Sequence, residues 1–173
     1  MDVKVAKTAG FCFGVKRAVE EVYKVAETTK GTVYTYGPII HNEEVVSDLE
    51  KKGVKVLETE EDLKNLTEGT VIIRSHGVPK YIYELLEERN ISYVDVTCPF
   101  VLKIHRIVEK ESAQGKHIVI VGDPNHPEVV GIKGWCQRKA TIIKTKEDAK
   151  SFLAESGEKL CIVSQTTFNY NNF

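Results

Sequence analysis

Residues 98–131 read CPFVLKIHRIVEKESAQGKHIVIVGDPNHPEVVG. A cysteine opens a stretch with helical apolar spacing that ends near Gly115, and His117–Val121 reads as a strand. Gly122 then punctuates the chain, followed by His126 and Glu128-Val-Val130. Residues 12–46, CFGVKRAVEEVYKVAETTKGTVYTYGPIIHNEEVV, carry the same order. Cys12 opens a helix that ends near Gly31, and a strand, Gly37, His41 and Glu43-Glu-Val-Val46 follow. Cys12 to His41 is 29 residues and Cys98 to His126 is 28. Each copy then runs helix, strand, helix, strand to a polar tip, Arg74-Ser-His-Gly77 in the first and Ser164-Gln-Thr-Thr167 in the second. The two cysteines lie 86 residues apart, so the chain reads as two copies of one unit.

Outward from this repeat, strands alternate with helices throughout. Strands are expected at Val3–Ala6, Thr32–Tyr36, Val54–Leu57, Thr70–Ile73, Ser92–Val96, His117–Val121, Thr141–Lys144 and Lys159–Val163. Helices are expected at Val15–Thr28, Asn42–Lys51, Lys80–Arg89, Phe100–Ala113, Pro127–Gly134 and Lys146–Leu153. The class this implies is α/β, with repeated small parallel-sheet lobes related by pseudo-symmetry, two of an expected three being present. The lobes span 1–97 and 98–173. A third copy at the same spacing puts a cysteine at about residue 184, beyond this chain. The tail Asn169-Tyr-Asn-Asn-Phe173 also falls where a helix is due. The expectation is a truncated chain that lacks the third lobe, exposes the face meant for it, and associates.

With 173 residues, 42% hydrophobic and 28% charged, the chain can bury a core without disulfides. A net charge of -1 gives no electrostatic case for nucleic acid or a membrane surface, so any anion site is local. The first residues lack the apolar core of a secretory signal, and no apolar run can span a bilayer. A cytoplasmic location is expected, where the four cysteines stay reduced.

In parallel sheets ligands sit beyond the carboxyl ends of the strands. Six such ends carry unusual residues: Thr8–Gly14, Gly37–His41, Arg74–Gly77, Asp95–Pro99, Gly122–Glu128 and Ser164–Thr167. Cys12 and Cys98 each open a helix, where free N–H groups and positive potential suit an anionic sulfur ligand for iron. Either alone reads as a small buried hydrophobe, but equivalent repeat positions favour function. Cys161, inside an apolar strand, and Cys136, beside Trp135, read as core. No CxxC pair is present, which argues against a standard zinc site, a thioredoxin-like motif and ferredoxin spacing. One cysteine from each lobe, around a pseudo-threefold axis, fits a cluster better.

His41, His76 and His126 stand at strand ends beside Gly or Pro. Together they can donate hydrogen bonds to a phosphate group, and zinc ligation by the three stays open. His105, mid-helix, and His117, opening a strand, read as structural. Glu128 falls in the first turn of a helix opened by Pro127, where it either complements the helix dipole or holds a proton for a bound ligand. Thr166 and Thr167 are equal candidates to hydrogen-bond that ligand.

Taken together, Ala9-Gly-Phe-Cys-Phe-Gly-Val-Lys-Arg-Ala18, Gly37-Pro-Ile-Ile-His-Asn42, Arg74-Ser-His-Gly-Val78, Asp95-Val-Thr-Cys-Pro99, His126-Pro-Glu-Val-Val-Gly131 and Ser164-Gln-Thr-Thr167 give the chain a family likeness. It resembles the 4-hydroxy-3-methylbut-2-enyl diphosphate reductases. The resemblance implies a three-lobed α/β fold around a 4Fe-4S cluster held by three cysteines, of which Cys12 and Cys98 match two. It implies His41, His76 and His126 as contacts of the diphosphate, Glu128 as the proton-delivering acid and Thr166 as the active-site threonine. The implied reaction is reductive dehydroxylation of the allylic diphosphate to isopentenyl and dimethylallyl diphosphate, with electrons from a ferredoxin, a flavodoxin or an equivalent donor. The third cysteine and the rest of the diphosphate pocket belong to the missing lobe. The competing readings are a two-lobed phosphate-ligand binding module without turnover, and a zinc hydrolase built on the three histidines.

Overall fold

The computed structural model describes residues 2–7 and 9–169, so Thr8 and the last four tail residues lie outside it. Its elements in chain order are α1 (Phe13–Thr28), β1 (Val33–Tyr36), α2 (Glu43–Lys51), β2 (Lys55–Leu57), α3 (Glu60–Lys64), β3 (Thr70–Ile73), α4 (Lys80–Glu88), β4 (Ser92–Asp95), α5 (Pro99–Ala113), β5 (His117–Val121), α6 (Pro127–Lys133), β6 (Ala140–Ile143), α7 (Lys146–Ser151) and β7 (Leu160–Ser164). The strands form two sheets, ordered β2-β1-β3-β4 and β6-β5-β7. Every neighbour is parallel. β1 lies between β2 and β3 as β5 lies between β6 and β7, so the doubled α/β unit of the sequence reappears in the topology. No helix among the described residues is long and apolar enough to cross a membrane.

Alternation along β3 sends neighbouring side chains to opposite faces. Ile72 joins Ala18, Val22 and Leu49 on one side. Val71 and Ile73 join Leu63, Ile82 and Leu86 on the other, so the first sheet is covered twice. In the second sheet Ile118 and Ile120 pack with Val108, Val129 and Ile132, while Cys136 and Cys161 border that core, half-buried. Burial pushes the Cys136 thiol up to about 11, as suits a packing residue. The far face of this sheet is barer. Val71 pairs with Tyr34 in the first sheet, and Ile162 pairs with Val119 at the matching place in the second. Val71 is fully buried, whereas Ile162 is 56% exposed. With Val119, Val121, Phe152, Leu160 and Phe168 it lines an open apolar groove.

Two expectations change. Val3–Ala6 is not a strand, and Val3 and Val5 are exposed. Alternation gives a segment one apolar face, but a strand also needs a neighbouring edge for its N–H and C=O groups. A short helix, α3, fills the place that the repeat order gives a helix but for which no range was expected. Thr59 and Asp62 close a reciprocal capping box over it. Thr145 and Asp148 build the same box on α7, 86 residues later.

The two sheets meet through a turn. Trp135 Nε1 donates to the Val78 carbonyl at 2.9 Å. Gly134 lies against Pro79 so closely that a Cβ there would strike the proline ring. Gly77, at φ +73°, leaves room for His105, whose Cε1 would be 2.6 Å from a Cβ at that position. His105 is 1% exposed, stacks on Trp135 at 5.1 Å and 19°, and has no partner for either ring nitrogen. Its burial holds its pKa down to about 4, although the Asp95 charge acts the other way.

Because that folded value lies below the ordinary 6.5, the unfolded chain takes the proton first. The stability involved is intact above pH 6.5 and falls by about 3 kcal/mol as pH drops towards 4. His105→Phe keeps the stack and is expected to flatten the fall of the urea midpoint between pH 6.5 and 4, and an unchanged slope refutes this assignment. The groove around Ile162 is expected to drive self-association in light scattering, with Ile162→Glu raising the monomer fraction; a wild-type chain that is already monomeric counts against it.

Candidate active site

Each strand end is held by short-range chemistry that also aims a functional group. After β1, Gly37 at φ +69° turns the chain and donates to the Leu57 carbonyl at 2.8 Å. Ile39 and Ile40 are buried, which leaves His41 exposed just before the Asn42 cap of α2. After β3, the Ser75 hydroxyl donates to the Ile39 carbonyl at 3.2 Å, and Gly77 N–H closes a turn onto Arg74 O at 3.0 Å. After β4, Asp95 accepts from Thr97 N–H and Oγ1 at 2.9 and 2.5 Å, and Cys98 N–H donates to Ser75 O at 2.9 Å. Three strand ends are thereby tied side to side.

Cys12 and Cys98 are the N-caps of α1 and α5. Cys12 is exposed and Cys98 half-buried. A Cβ at Gly14, two residues into α1, would be 2.6 Å from Cys98 Sγ, so glycine lets that thiol lie against the first turn of α1. Arg17, one turn on, donates to the Thr97 carbonyl at 2.5 Å and locks α1 to the Cys98 loop. The Cys98 loop therefore lies against the first turn of α1, and both cap cysteines are free thiols among the described residues.

The histidines converge from both sheets. Ring centroids lie 4.7 Å apart for His41 and His76, 5.4 Å for His76 and His126, and 5.9 Å for His41 and His126. One nitrogen from each lies within 4.8 Å of the others, close enough to share a metal ion or an anion. Burial, then the neighbouring His41, Arg74 and His126, hold the His76 pKa down to about 4. Burial is also the main cause that lowers His126, partly opposed by Glu128. His126 caps α6, and its Nδ1 accepts from Glu128 N–H at 3.2 Å. In the neutral ring the proton then sits on Nε2.

Glu128 is 2% exposed in the first turn of α6. Its Oε1 accepts from Thr166 N–H at 2.6 Å and its Oε2 from Thr166 Oγ1 at 2.7 Å. Thr167 turns to Gln165 Nε2 instead, at 2.8 Å. Gln165 is itself fixed, donating to Val121 O and accepting from Asp123 N–H. Repeat position could not choose between the two threonines, but the loop geometry brings Thr166 alone to Glu128. His117 lies apart, bridging Glu158 at 2.9 Å and Thr141 at 2.8 Å, as a clamp on the second sheet.

The arrangement can hold an anion on three imidazoles and keep a proton between Glu128 and Thr166. The sequence reading missed Arg74, which stood inside a quoted motif; only its burial and missing partner mark it out. Thr166→Val removes a donor from a buried carboxyl group and is expected to cost about 1–3 kcal/mol in chemical denaturation. Thr166→Ser is expected to recover most of that, and equal losses for both variants would show that the hydroxyl contact is immaterial.

A family model described as LytB protein matches residues 3–173. The 4-hydroxy-3-methylbut-2-enyl diphosphate reductase of Caldanaerobacter subterraneus is 52% identical over 168 residues, covering 96% of this chain and 58% of that protein. The enzyme of the same name from Alkaliphilus oremlandii is 49% identical over 172 residues, covering 98% and 59%. Among solved structures, the E-1-hydroxy-2-methyl-but-2-enyl-4-diphosphate reductase of Plasmodium falciparum superposes with a TM-score of 0.88 at 30% identity, over 96% of this chain and 52% of that one. A further structure, of (E)-4-hydroxy-3-methyl-but-2-enyl diphosphate reductase, the terminal enzyme of the non-mevalonate pathway, gives 0.81 at 41% identity, over 98% and 59%. This chain thus spans a little over half the length of the relatives it matches. With the matching model covering nearly every residue, relatives of about half identity in sequence, and solved structures that superpose on the fold, the chain belongs to the LytB protein family.

Proposed function

We propose that this chain forms the first two lobes of an iron-sulfur reductase that removes the hydroxyl group of 4-hydroxy-3-methylbut-2-enyl diphosphate. The observation that carries the reading is the meeting of His41, His76 and His126, from three separate strand ends, beside the Glu128–Thr166 pair. Relatives named for this reductase support the substrate class. The net change breaks the terminal C–O bond. Two electrons and two protons enter, the oxygen leaves as water with one of those protons, and the carbon skeleton takes up the other. The products are isopentenyl or dimethylallyl diphosphate.

The chain's own residues divide that work. His41, His76 and His126 bind the diphosphate through N–H donors, and this remote binding orients the allylic end. Glu128, buried at 2% exposure, holds a proton near the reacting carbon. Its Oε2 is 2.7 Å from Thr166 Oγ1, so the hydroxyl can take part in the same transfer. Cys12 and Cys98 would hold a 4Fe-4S cluster, and the fit rests on two free thiols at helix N-caps and on Gly14, which lets Cys98 lie against the helix that Cys12 opens. When bound, the cluster supplies electrons and Lewis acidity. A third thiolate, and the remaining diphosphate contacts, would come from the part of the relatives' length that this chain does not span. A ferredoxin or flavodoxin is the proposed electron donor, and the cytoplasm the proposed location.

The test is iron and sulfide content after anaerobic reconstitution of this chain, with absorbance and electron paramagnetic resonance as readouts. The wild-type chain is expected to take up iron and sulfide, and Cys12→Ser and Cys98→Ser each to lose most of it. Equal uptake by all three refutes the cysteine assignment, as does zinc in place of iron in the purified protein. Cys161→Ser is expected to change nothing.

A further inference from the structure

Three imidazoles alone make a weak counterpart for a diphosphate. His76 and His126 both have pKa values below the ordinary histidine range, His76 at about 4, so neither carries charge at neutral pH. The chain as a whole is slightly acidic. Some other group has to supply positive potential if an anion is to leave water for this site.

Arg74 stands two residues before His76 on the same strand end. It is half-buried, its Nε is sealed from solvent without a hydrogen-bond partner, and no carboxylate pairs with it among the described residues. Burial lowers its pKa while Tyr36 acts the other way, and a guanidinium, which does not lose its proton in proteins, remains a cation at neutral pH. Its place is built for it. Gly37 bends away at φ +69°, and a Cβ there would collide with Arg74 Nη1. Arg74 shares its strand end with His76 and lies against Gly37, which opens the turn carrying His41, so the guanidinium stands beside two of the three histidine turns. Its charge also disfavours protonation of His76 and His126. A half-buried cation without a counter-charge is costly, and an anion bound nearby offsets that cost through the field without touching it.

We propose that Arg74 is the fixed cation of the anion site, an unpaired guanidinium set between the Gly37–His41 and Arg74–Gly77 turns that draws a diphosphate group onto the three histidines through its field. The inference rests on the diphosphate reading of those histidines. Arg74 is a positioning residue in this scheme, because the imidazoles are the groups that touch the ligand. Charge, rather than the shape of the guanidinium, is what it contributes.

The experiment is calorimetric titration of this chain with inorganic pyrophosphate at about 50 and 200 mM salt, chosen so that screening changes appreciably between them. Arg74→Met is expected to weaken binding by roughly tenfold or more, the order of one near unit charge in a partly desolvated site, and to flatten its salt dependence. Arg74→Lys is expected to restore affinity to within about threefold. Arg74→Gln, which keeps donors but not charge, carries the same expectation as Met and replaces it if the Met variant does not fold. A neutral variant that binds within twofold of wild type overturns the role of Arg74, and His76→Ala losing affinity in the same series leaves the histidine site standing. A folded Arg74→Lys as weak as the neutral variants also overturns it, because shape would then be the cause. A wild-type chain that does not bind pyrophosphate sinks the diphosphate reading itself, and this inference with it.

Discussion

The site depends on how α6 docks on the Gly77–Pro79 turn. His41 and His76 belong to the first sheet and are held together by hydrogen bonds between strand ends. His126 belongs to the second sheet and reaches them only because Gly134 lets α6 close on Pro79 while Trp135 bonds to Val78. The contact is steric before it is energetic. A methyl group at Gly134 has nowhere to go, since the obstacle is a proline ring in a packed turn. His105 fills the space behind this contact as a flat neutral ring stacked on Trp135. One interface therefore sets both the spacing of the imidazoles and the position of Glu128, which lies on the same helix two residues beyond His126.

Burial then shapes the chemistry. Desolvation penalises the charged form of each imidazole, so His76, His105 and to a lesser degree His126 are driven towards neutrality. In His105 that neutrality supports packing. In His76 and His126 it makes N–H donors, whose partner has to be an anion from outside. Glu128 is as deeply buried as His105, and the same loop that buries it supplies two donors from Thr166. The thiols fall into two kinds on the same ground. Cys136 and Cys161 sit against apolar side chains, while Cys12 and Cys98 sit at helix openings with nothing bonded to sulfur among the described residues.

Some expectations failed for identifiable reasons. Val3–Ala6 has the alternation of a strand but no edge to join, and pairing is a property of the neighbour. The short α3 has too few residues for a period to show, and its signal is the Thr59–Asp62 cap. The exposed Ile162 looks in sequence like any core strand residue, since whether a face is covered depends on a helix elsewhere in the chain.

The sequence by itself determined the doubled α/β unit, its parallel strands, and the residues worth watching. Period, glycine punctuation and repeat spacing are local properties, and they put Cys12 with Cys98 and His41 with His126 before any coordinates. It also marked Glu128 as a first-turn carboxylate. Only the tertiary structure decided which of these residues meet. That Thr166 rather than Thr167 bonds Glu128 follows from a turn fixed by Gln165, which is itself fixed by the neighbouring strand. That Arg74 is half-buried, with no partner for its Nε among the described residues, follows from space left by Gly37, thirty-seven residues earlier in the chain. Periodicity records which face a residue shows to its own element, whereas distance, burial and an absent partner are created by segments far apart in the chain, and no local pattern encodes them.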